Sequence, residues 1–154
     1  SREYDIVLFG VTGFTGRLAA EHLLLKAYPV KWAACARNES KAAAVLQDLG
    51  EKVGKSSALP KVEVCDLVCA TEADEARLRA VVRRAKCVIT TAGPFEKYGQ
   101  TLVKVCAEEG VHYADIAGES DFFRLMIERH DGTAHRTGAK IVVHCGNDCI
   151  PWDL

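Results

Sequence analysis

Six short apolar runs alternate along the chain with five segments of helical periodicity, and this alternation limits the folds that the sequence can adopt. The apolar runs cover residues 5–10, 30–36, 62–65, 86–91, 111–116 and 140–145. The helical segments cover residues 14–27, 39–53, 71–84, 98–109 and 121–137, the last with a suspected break near Gly132. Because strands that alternate with helices pair in parallel, the pattern predicts an α/β fold with a doubly wound parallel sheet and helices on both faces. Six strands match the Rossmann fold.

Composition favours an ordinary globular domain. Apolar residues make up 49% of the 154 residues, charged residues 27%, and the formal net charge is −1. A near-neutral chain gives no electrostatic reason to bind nucleic acid, and no apolar run approaches the roughly 20 residues of a membrane span. We therefore predict one domain over residues 1–154, with a cytoplasmic location and no nucleic acid as partner.

The two ends of the chain favour a longer protein. The chain begins with Ser1 rather than methionine, and it stops at Leu154 directly after an apolar segment, with no closing helix. We expect an N-terminal fragment whose C-terminal substrate domain is absent. Contact with a membrane is expected only through that absent part, and a homodimer stays open.

The cysteines indicate structural thiols rather than a metal site. There are seven, an odd number, and none are spaced as C-x-x-C; they are Cys35, Cys65, Cys69, Cys87, Cys106, Cys145 and Cys149. Four lie inside or at the end of apolar runs, where free cysteine behaves as a small hydrophobic residue. The five histidines show no metal spacing either. We therefore predict reduced thiols and no metal.

A glycine-rich turn follows the first predicted strand. Residues 10–16 read G-V-T-G-F-T-G, a variant of the dinucleotide fingerprint, and a helical segment follows at once. Glycine permits the tight turn and the close approach of backbone to a pyrophosphate, and the helix N-terminus offers N–H groups to phosphates. The residues predicted to bind these phosphates are Gly10, Thr12, Gly13, Phe14, Thr15 and Gly16. The alternative is a glycine-rich turn without a ligand.

The end of the second predicted strand bears on the choice between NAD and NADP. An NAD site has a carboxylate about 20 residues beyond the turn, but residues 30–36 contain none and Arg37 follows. Because a guanidinium matches a phosphate, we predict NADP with Arg37 on its 2′-phosphate; a solvated arginine is the alternative. Asp66, after the third strand, either contacts the adenine amine or caps the next turn.

The ends of the last three strands are expected to lie on the substrate side, because ligands bind at the carboxyl ends of the strands. The residues predicted to line the nicotinamide path are Ala92, Gly93 and Pro94. Asp115, Glu119 and Asp148 follow the fifth and sixth strands, where acid–base chemistry and helix capping both stay open. No catalytic residue is assigned; Tyr98 and Asp148 are the candidates for a proton donor.

Several motifs together resemble the N-terminal part of saccharopine dehydrogenase-like oxidoreductases. They are Leu8–Gly16, Ala36–Asn38, Ala92–Phe95 with Tyr98-Gly99, Tyr113–Glu119 and Cys145–Leu154. The resemblance spans the chain and implies nicotinamide-dependent hydride transfer, with much of the substrate site in a C-terminal domain. The family includes enoyl reductases of lipid-like substrates, so the resemblance does not imply an amino-acid substrate.

Two functions therefore stand side by side. The first is an NADP-dependent oxidoreductase with an unidentified small-molecule substrate; the 154 residues alone are expected to bind the cofactor without turnover. The alternative is a non-catalytic redox sensor or regulator that binds NADP and a protein partner, because the same glycine turn serves both.

Overall fold

The computed structural model describes residues 2–146 and confirms the predicted architecture. The strands are β1 (Tyr4–Phe9), β2 (Trp32–Ala36), β3 (Lys61–Val64), β4 (Ala85–Thr90), β5 (His112–Asp115) and β6 (Ile141–Val142). The helices are α1 (Phe14–Lys26), α2 (Glu39–Lys52), α3 (Glu72–Val82), α4 (Phe95–Tyr98), α5 (Gln100–Glu109) and α6 (Ser120–Thr137).

The six described strands form one parallel sheet in the order β3-β2-β1-β4-β5-β6. The chain builds outward from β1 to β3, and α3 then returns it to β4 on the other side of β1. This is the strand order of the doubly wound dinucleotide fold. The crevice between β1 and β4 is the point where the order reverses, and ligands of such sheets bind there.

Helices cover both faces of the sheet, as predicted. Helices α1 and α2 pack on one face, and α3, α5 and α6 pack on the other. Because successive strand residues point to opposite faces, Leu8 and Ala34 join the first layer, whereas Phe9 and Cys35 join the second. Burial on both faces explains why the strands read as continuous apolar runs rather than as alternating ones.

Local signals set several helix ends. Thr71 and Asp74 form a capping box at the start of α3, in which the Asp74 N–H donates to the Thr71 hydroxyl at 3.2 Å. Asn38 caps α2, and its side chain accepts from the Lys41 N–H at 2.8 Å. Gly110, in the left-handed region at φ +63°, ends α5.

The predicted continuity of two helical segments is wrong. The segment predicted as one helix over 98–109 is two, because α4 ends at Tyr98 and α5 begins at Gln100. Gly99 joins them in a crowded position, where a Cβ would lie 2.7 Å from the Phe95 carbonyl oxygen. The suspected break near Gly132 is absent, since α6 runs without interruption from Ser120 to Thr137. Its buried residues lie on both sides of the glycine and keep the helix packed.

A polar cluster joins β1 and β3 to Arg84, the residue directly before β4. The Glu63 carboxylate accepts from the Tyr4 hydroxyl at 2.7 Å and from two Arg84 nitrogens at 2.7 and 2.9 Å. Glu63 is 8% exposed, so the charge is held by hydrogen bonds rather than by water.

None of the helices among residues 2–146 has the length and apolar character needed to cross a membrane.

Candidate functional site

A cleft of about 430 Å³ opens at the carboxyl ends of β1, β2, β3 and β4. Its volume lies within the range of about 300–1,000 Å³ that is typical of ligand sites. Eight of the eleven predicted cofactor residues line it; they are Gly10, Thr12, Gly13, Arg37, Asp66, Ala92, Gly93 and Pro94. The structure therefore brings together segments that lie more than 80 residues apart in the sequence.

The glycine turn packs directly against the loop that follows β4. Gly10 has φ +91°, and a Cβ there would lie 2.6 Å from Thr91 Oγ1 and 3.0 Å from the Ala92 nitrogen. A Cβ on Gly16 would overlap the Gly10 carbonyl oxygen. Both positions therefore require glycine for the turn and for the close packing of α1 on β1.

Gly13 occupies a different environment in the same turn. It is the N-cap residue of α1, and its N–H donates to the Gly10 carbonyl oxygen at 2.9 Å. No described side chain caps α1, and the first turn of α1 contains no acidic residue. A Cβ on Gly13 would meet only the Gly10 carbonyl oxygen, at 3.4 Å. The N-terminus of α1 is thus accessible from the cleft and suited to an anion.

The remaining predicted residues of the turn lie outside the cleft lining. Phe14 is 82% exposed, Thr15 is also exposed, and Gly16 is buried beneath the turn. Phe14 and Thr15 belong to the first turn of α1, and their side chains do not line the cleft. A phosphate could contact them only through the backbone N–H groups at the start of the helix. Their contact with phosphate stays a prediction.

Arg37 lies directly after β2, on the rim of the cleft. A second hollow, also of about 430 Å³, adjoins it and extends to α3. Arg77 of α3 lines this second hollow, with one guanidinium nitrogen 3.7 Å from Asp74 Oδ1. Arg37 and Arg77 therefore flank the same space. Arg77 could not be predicted from the sequence, because its placement depends on the path of the β3–α3 loop.

Asp66 caps a turn, one of the two roles that its position allows. Its Oδ1 accepts from the Val68 N–H at 3.0 Å, and the side chain is exposed on the cleft wall. The capping contact occupies one carboxylate oxygen. Contact of Asp66 with an adenine amine stays a prediction.

The loop after β4 forms the opposite wall of the cleft. The Thr91 N–H donates to the Phe9 carbonyl oxygen at 3.1 Å, and the Ala92 N–H donates to Thr90 Oγ1 at 3.2 Å. These bonds hold the segment beside the glycine turn. The Gly93–Pro94 peptide is cis, and both residues are exposed on the wall. The small side chains predicted for the nicotinamide path therefore lie at the switch point between β1 and β4.

The carboxylates at the substrate side have structural contacts. Glu119 accepts from the N–H groups of Phe95 at 3.1 Å and of Glu96 at 2.7 Å, so it caps α4 from across the sheet edge. Asp115 is 1% exposed and accepts from the Tyr113 hydroxyl, the Ala117 N–H and the His144 N–H. Helix capping therefore fits Glu119, whereas Asp115 holds the loops after β5 and β6 and caps none of the described helices. Asp148 lies outside the described residues.

Tyr98 lines the cleft beyond Pro94, as the C-terminal residue of α4. The Lys97 ammonium lies 5.3 Å from the centre of its ring. Tyr98 thereby remains a candidate proton donor by position, and its role stays a prediction.

Sequence reasoning missed two thiols in the cleft wall. Cys35, near the end of β2, and Cys65, directly after β3, both line the cleft. Their position at the carboxyl ends of two strands could have indicated a place in the ligand site. The apolar residues around them in the sequence suggested only packing in the core. Among residues 2–146, no three potential metal ligands are grouped.

Comparison with known proteins identifies relatives of the chain. The model of the saccharopine dehydrogenase NADP binding domain matches residues 6–142. The trans-acting enoyl reductase of Mycobacterium leprae is 40% identical over 153 residues, which are 99% of this chain and 34% of that protein. A protein of the same name from Mycobacterium tuberculosis strain H37Rv is 39% identical with the same coverage. The chain thus spans about a third of the length of these curated relatives.

A solved structure supports the fold independently. The apo saccharopine dehydrogenase (L-Glu forming) of Saccharomyces cerevisiae superimposes with a TM-score of 0.69 at 16% identity, covering 95% of this chain and 28% of that chain. The family model extends from β1 to β6, and it describes NADP-binding domains, as predicted from Arg37 and from the lack of a carboxylate in residues 30–36. The chain belongs to the saccharopine dehydrogenase NADP-binding domain family.

Proposed function

We propose that this chain is the NADPH-binding domain of an oxidoreductase that transfers hydride between the cofactor and a small-molecule substrate. The observation that carries the proposal is the α1 N-terminus, which is open to the cleft at the switch point and has no side-chain cap. An anion at this position would receive backbone N–H groups and the favourable end of the helix dipole. The names of the mycobacterial relatives support reduction of an enoyl group by the whole protein.

Each segment of the cleft has a separate task under this proposal. The turn from Gly10 to Gly13 binds the pyrophosphate, and Arg37 binds the 2′-phosphate of the adenosine. Asp66 borders the adenine, and the wall at residues 92–94 gives the nicotinamide half a close approach to backbone. When bound, the cofactor supplies the hydride; the chain supplies binding and orientation. Under this proposal the substrate binds beside the nicotinamide, and the rest of the whole protein supplies further residues of the substrate site.

The experiment is calorimetric titration of the purified protein with NADPH and NADH. We expect NADPH to bind more tightly, and Arg37→Ala to remove most of that preference while NADH binding changes little. A charge-assisted hydrogen bond contributes about 1.5–3 kcal/mol, so the loss of NADPH affinity should be roughly 10- to 100-fold. Arg136→Ala is the matched control, because Arg136 is an exposed arginine near the end of α6.

Two outcomes would contradict the proposal. If neither nucleotide binds, the glycine turn serves only to pack α1 on the sheet. If NADPH binds but Arg37→Ala leaves the preference intact, the 2′-phosphate lies elsewhere and the assignment of Arg37 is wrong.

A further inference from the structure

Two cysteines are diagonal neighbours on adjacent strands in the wall of the cleft. In the β2–β3 ladder Cys35 is opposite Glu63, and Cys65 comes two residues later on the same face of the sheet. The Cys65 N–H donates to the Ala36 carbonyl oxygen at 3.1 Å, which holds Cys65 beside β2. Cys35 is 0% and Cys65 6% exposed, and the cleft is the space that both thiols border.

The two thiols are not equivalent. The interaction between them lowers the pKa of Cys65 and raises the pKa of Cys35, and the Cys65 thiol also donates to the Asp66 carbonyl oxygen at 3.4 Å. The charged groups around Cys65 oppose one another, since Asp66 and Asp74 disfavour its thiolate and Arg77 favours it. Burial raises the pKa of the nearby Cys69 to about 11, so Cys69 is a poorer nucleophile. Cys65 is slightly exposed directly after β3 whereas Cys35 is fully buried within β2, so Cys65 is the nucleophile of the group and Cys35 is its partner.

We propose that Cys35 and Cys65 form an oxidisable dithiol that reacts with peroxides and, once oxidised, closes the adenosine end of the cleft. The proposal rests on NADPH binding in that cleft. The Cys65 thiolate attacks one peroxide oxygen, the O–O bond breaks, and a sulfenic acid and a hydroxide form. The Cys35 sulfur then attacks the Cys65 sulfur and displaces hydroxide. In sum, two thiols and one hydrogen peroxide give one disulfide and two waters, so the thiols are oxidised and the peroxide is reduced.

Closing this disulfide requires a movement that matters for the cleft. Residues that are two positions out of register on neighbouring strands have Cα atoms about 7–8 Å apart, whereas disulfides usually span less than about 7 Å. Cys65 is the first residue after β3, where the ladder ends, so the segment after β3 is the part able to shift. A shift toward β2 carries Asp66 toward Arg37, and both of these residues border the predicted adenosine end.

The test combines peptide mapping with nucleotide titration of the purified protein. Hydrogen peroxide is added with and without saturating NADPH, and mass spectrometry then looks for a linked Cys35–Cys65 peptide. We expect the linked peptide without NADPH and much less of it with NADPH, because the bound nucleotide covers Cys65. Oxidised protein should bind NADPH about tenfold more weakly or worse, and dithiothreitol should restore the affinity.

Variants separate this dithiol from the other cysteines. Cys65→Ser and Cys65→Ala should each abolish the linked peptide and the effect of peroxide, measured against each variant's own unoxidised affinity. Cys69→Ser is the matched control, since Cys69 packs against the same core but does not line the cleft, and it should stay sensitive. The proposal is overturned if no linked peptide forms, or if it forms and NADPH affinity is unchanged. Titration of untreated protein tests NADPH binding separately.

Discussion

Replacement of Glu63 by glutamine should destabilise the protein through one well-defined buried charge. Glu63 accepts hydrogen bonds from the Tyr4 hydroxyl and from two nitrogens of Arg84, and the Lys61 ammonium lies 3.2 Å away. Glutamine keeps the size of the side chain but presents an NH₂ group to at least one of these donors. Removing one partner of a buried pair costs about 3–5 kcal/mol.

The expected cost here is lower, because Arg84 keeps another partner. Its side chain is 33% exposed, and it also pairs with Glu3 at 2.7 Å. Water and Glu3 therefore compensate part of the loss, and we expect a destabilisation of about 2 kcal/mol, near the value of one or two charge-assisted hydrogen bonds. For a chain of this length that corresponds to a fall in melting temperature of about 4–8 °C.

The pH dependence gives the sharper test. Burial of Glu63 opposes its charge, but the hydrogen bonds from Arg84 and Tyr4 outweigh burial and lower the pKa of Glu63 in the folded protein. A lowered folded pKa contributes stability above the unfolded pKa of about 4.3, and that stability is lost as the pH falls through the folded pKa. The difference between wild type and Glu63→Gln should therefore shrink with falling pH.

The assay is urea unfolding followed by circular dichroism at neutral pH and across the acid range. Glu128→Gln, at an exposed position of α6, is the control and should change stability little. An unchanged midpoint for Glu63→Gln at neutral pH would refute the reasoning. A difference in unfolding free energy that persists at a pH low enough to protonate Glu63 would also refute it, because the side chain at position 63 is then uncharged in both proteins.

Three further changes test other parts of the structure. Arg77→Ala should weaken NADPH binding about two- to fivefold in calorimetry, which is less than the loss expected for Arg37→Ala. The loss is smaller because the Arg77 side chain is exposed and forms an ion pair with Asp74. Equal losses for NADPH and NADH would contradict a role of Arg77 at the 2′-phosphate. Gly13→Ser should leave the melting temperature within about 2 °C, since serine is a good N-cap, but should abolish NADPH binding; retained affinity would mean that phosphate does not approach Gly13. Gly132→Ala should raise stability by about 1 kcal/mol in urea unfolding, because Gly132 is an exposed position inside α6 and its Cβ would meet only Arg136, at 3.7 Å; a loss of stability would indicate that α6 needs a glycine there.

Elements set by periodicity or by a local turn could be predicted from the sequence. The six strands and their parallel order follow from continuous apolar runs separated by helical segments, because a strand buried on both faces carries no polar alternation. The start of α3 followed from Thr71 and Asp74, whose mutual contacts are local. Arg37 was identifiable because it stands at a fixed distance from the glycine turn.

Features that depend on packing between distant segments could not be predicted in the same way. The split between α4 and α5 depends on Gly99. A Cβ at that position would lie only 2.8 Å from Cζ of Phe122 in α6. The cap on α4 comes from Glu119, more than 20 residues later in the chain. Arg77 and the thiol pair depend on the register of β2 and β3 and on the loop after β3. None of these distances is encoded in a local spacing.

The three glycines of the turn do not carry equal weight as evidence for a ligand. Gly10 and Gly16 are explained by the fold, since a side chain at either position would collide with protein atoms whether or not a nucleotide binds. Gly13 is not explained in this way, because its backbone is extended at φ −86° and its Cβ would have room. A helix that begins there would be stabilised by serine, aspartate or asparagine, and by glycine less so. The absence of a side chain at Gly13 is therefore the feature of the turn that packing leaves without a reason, and a phosphate against the α1 N–H groups supplies one.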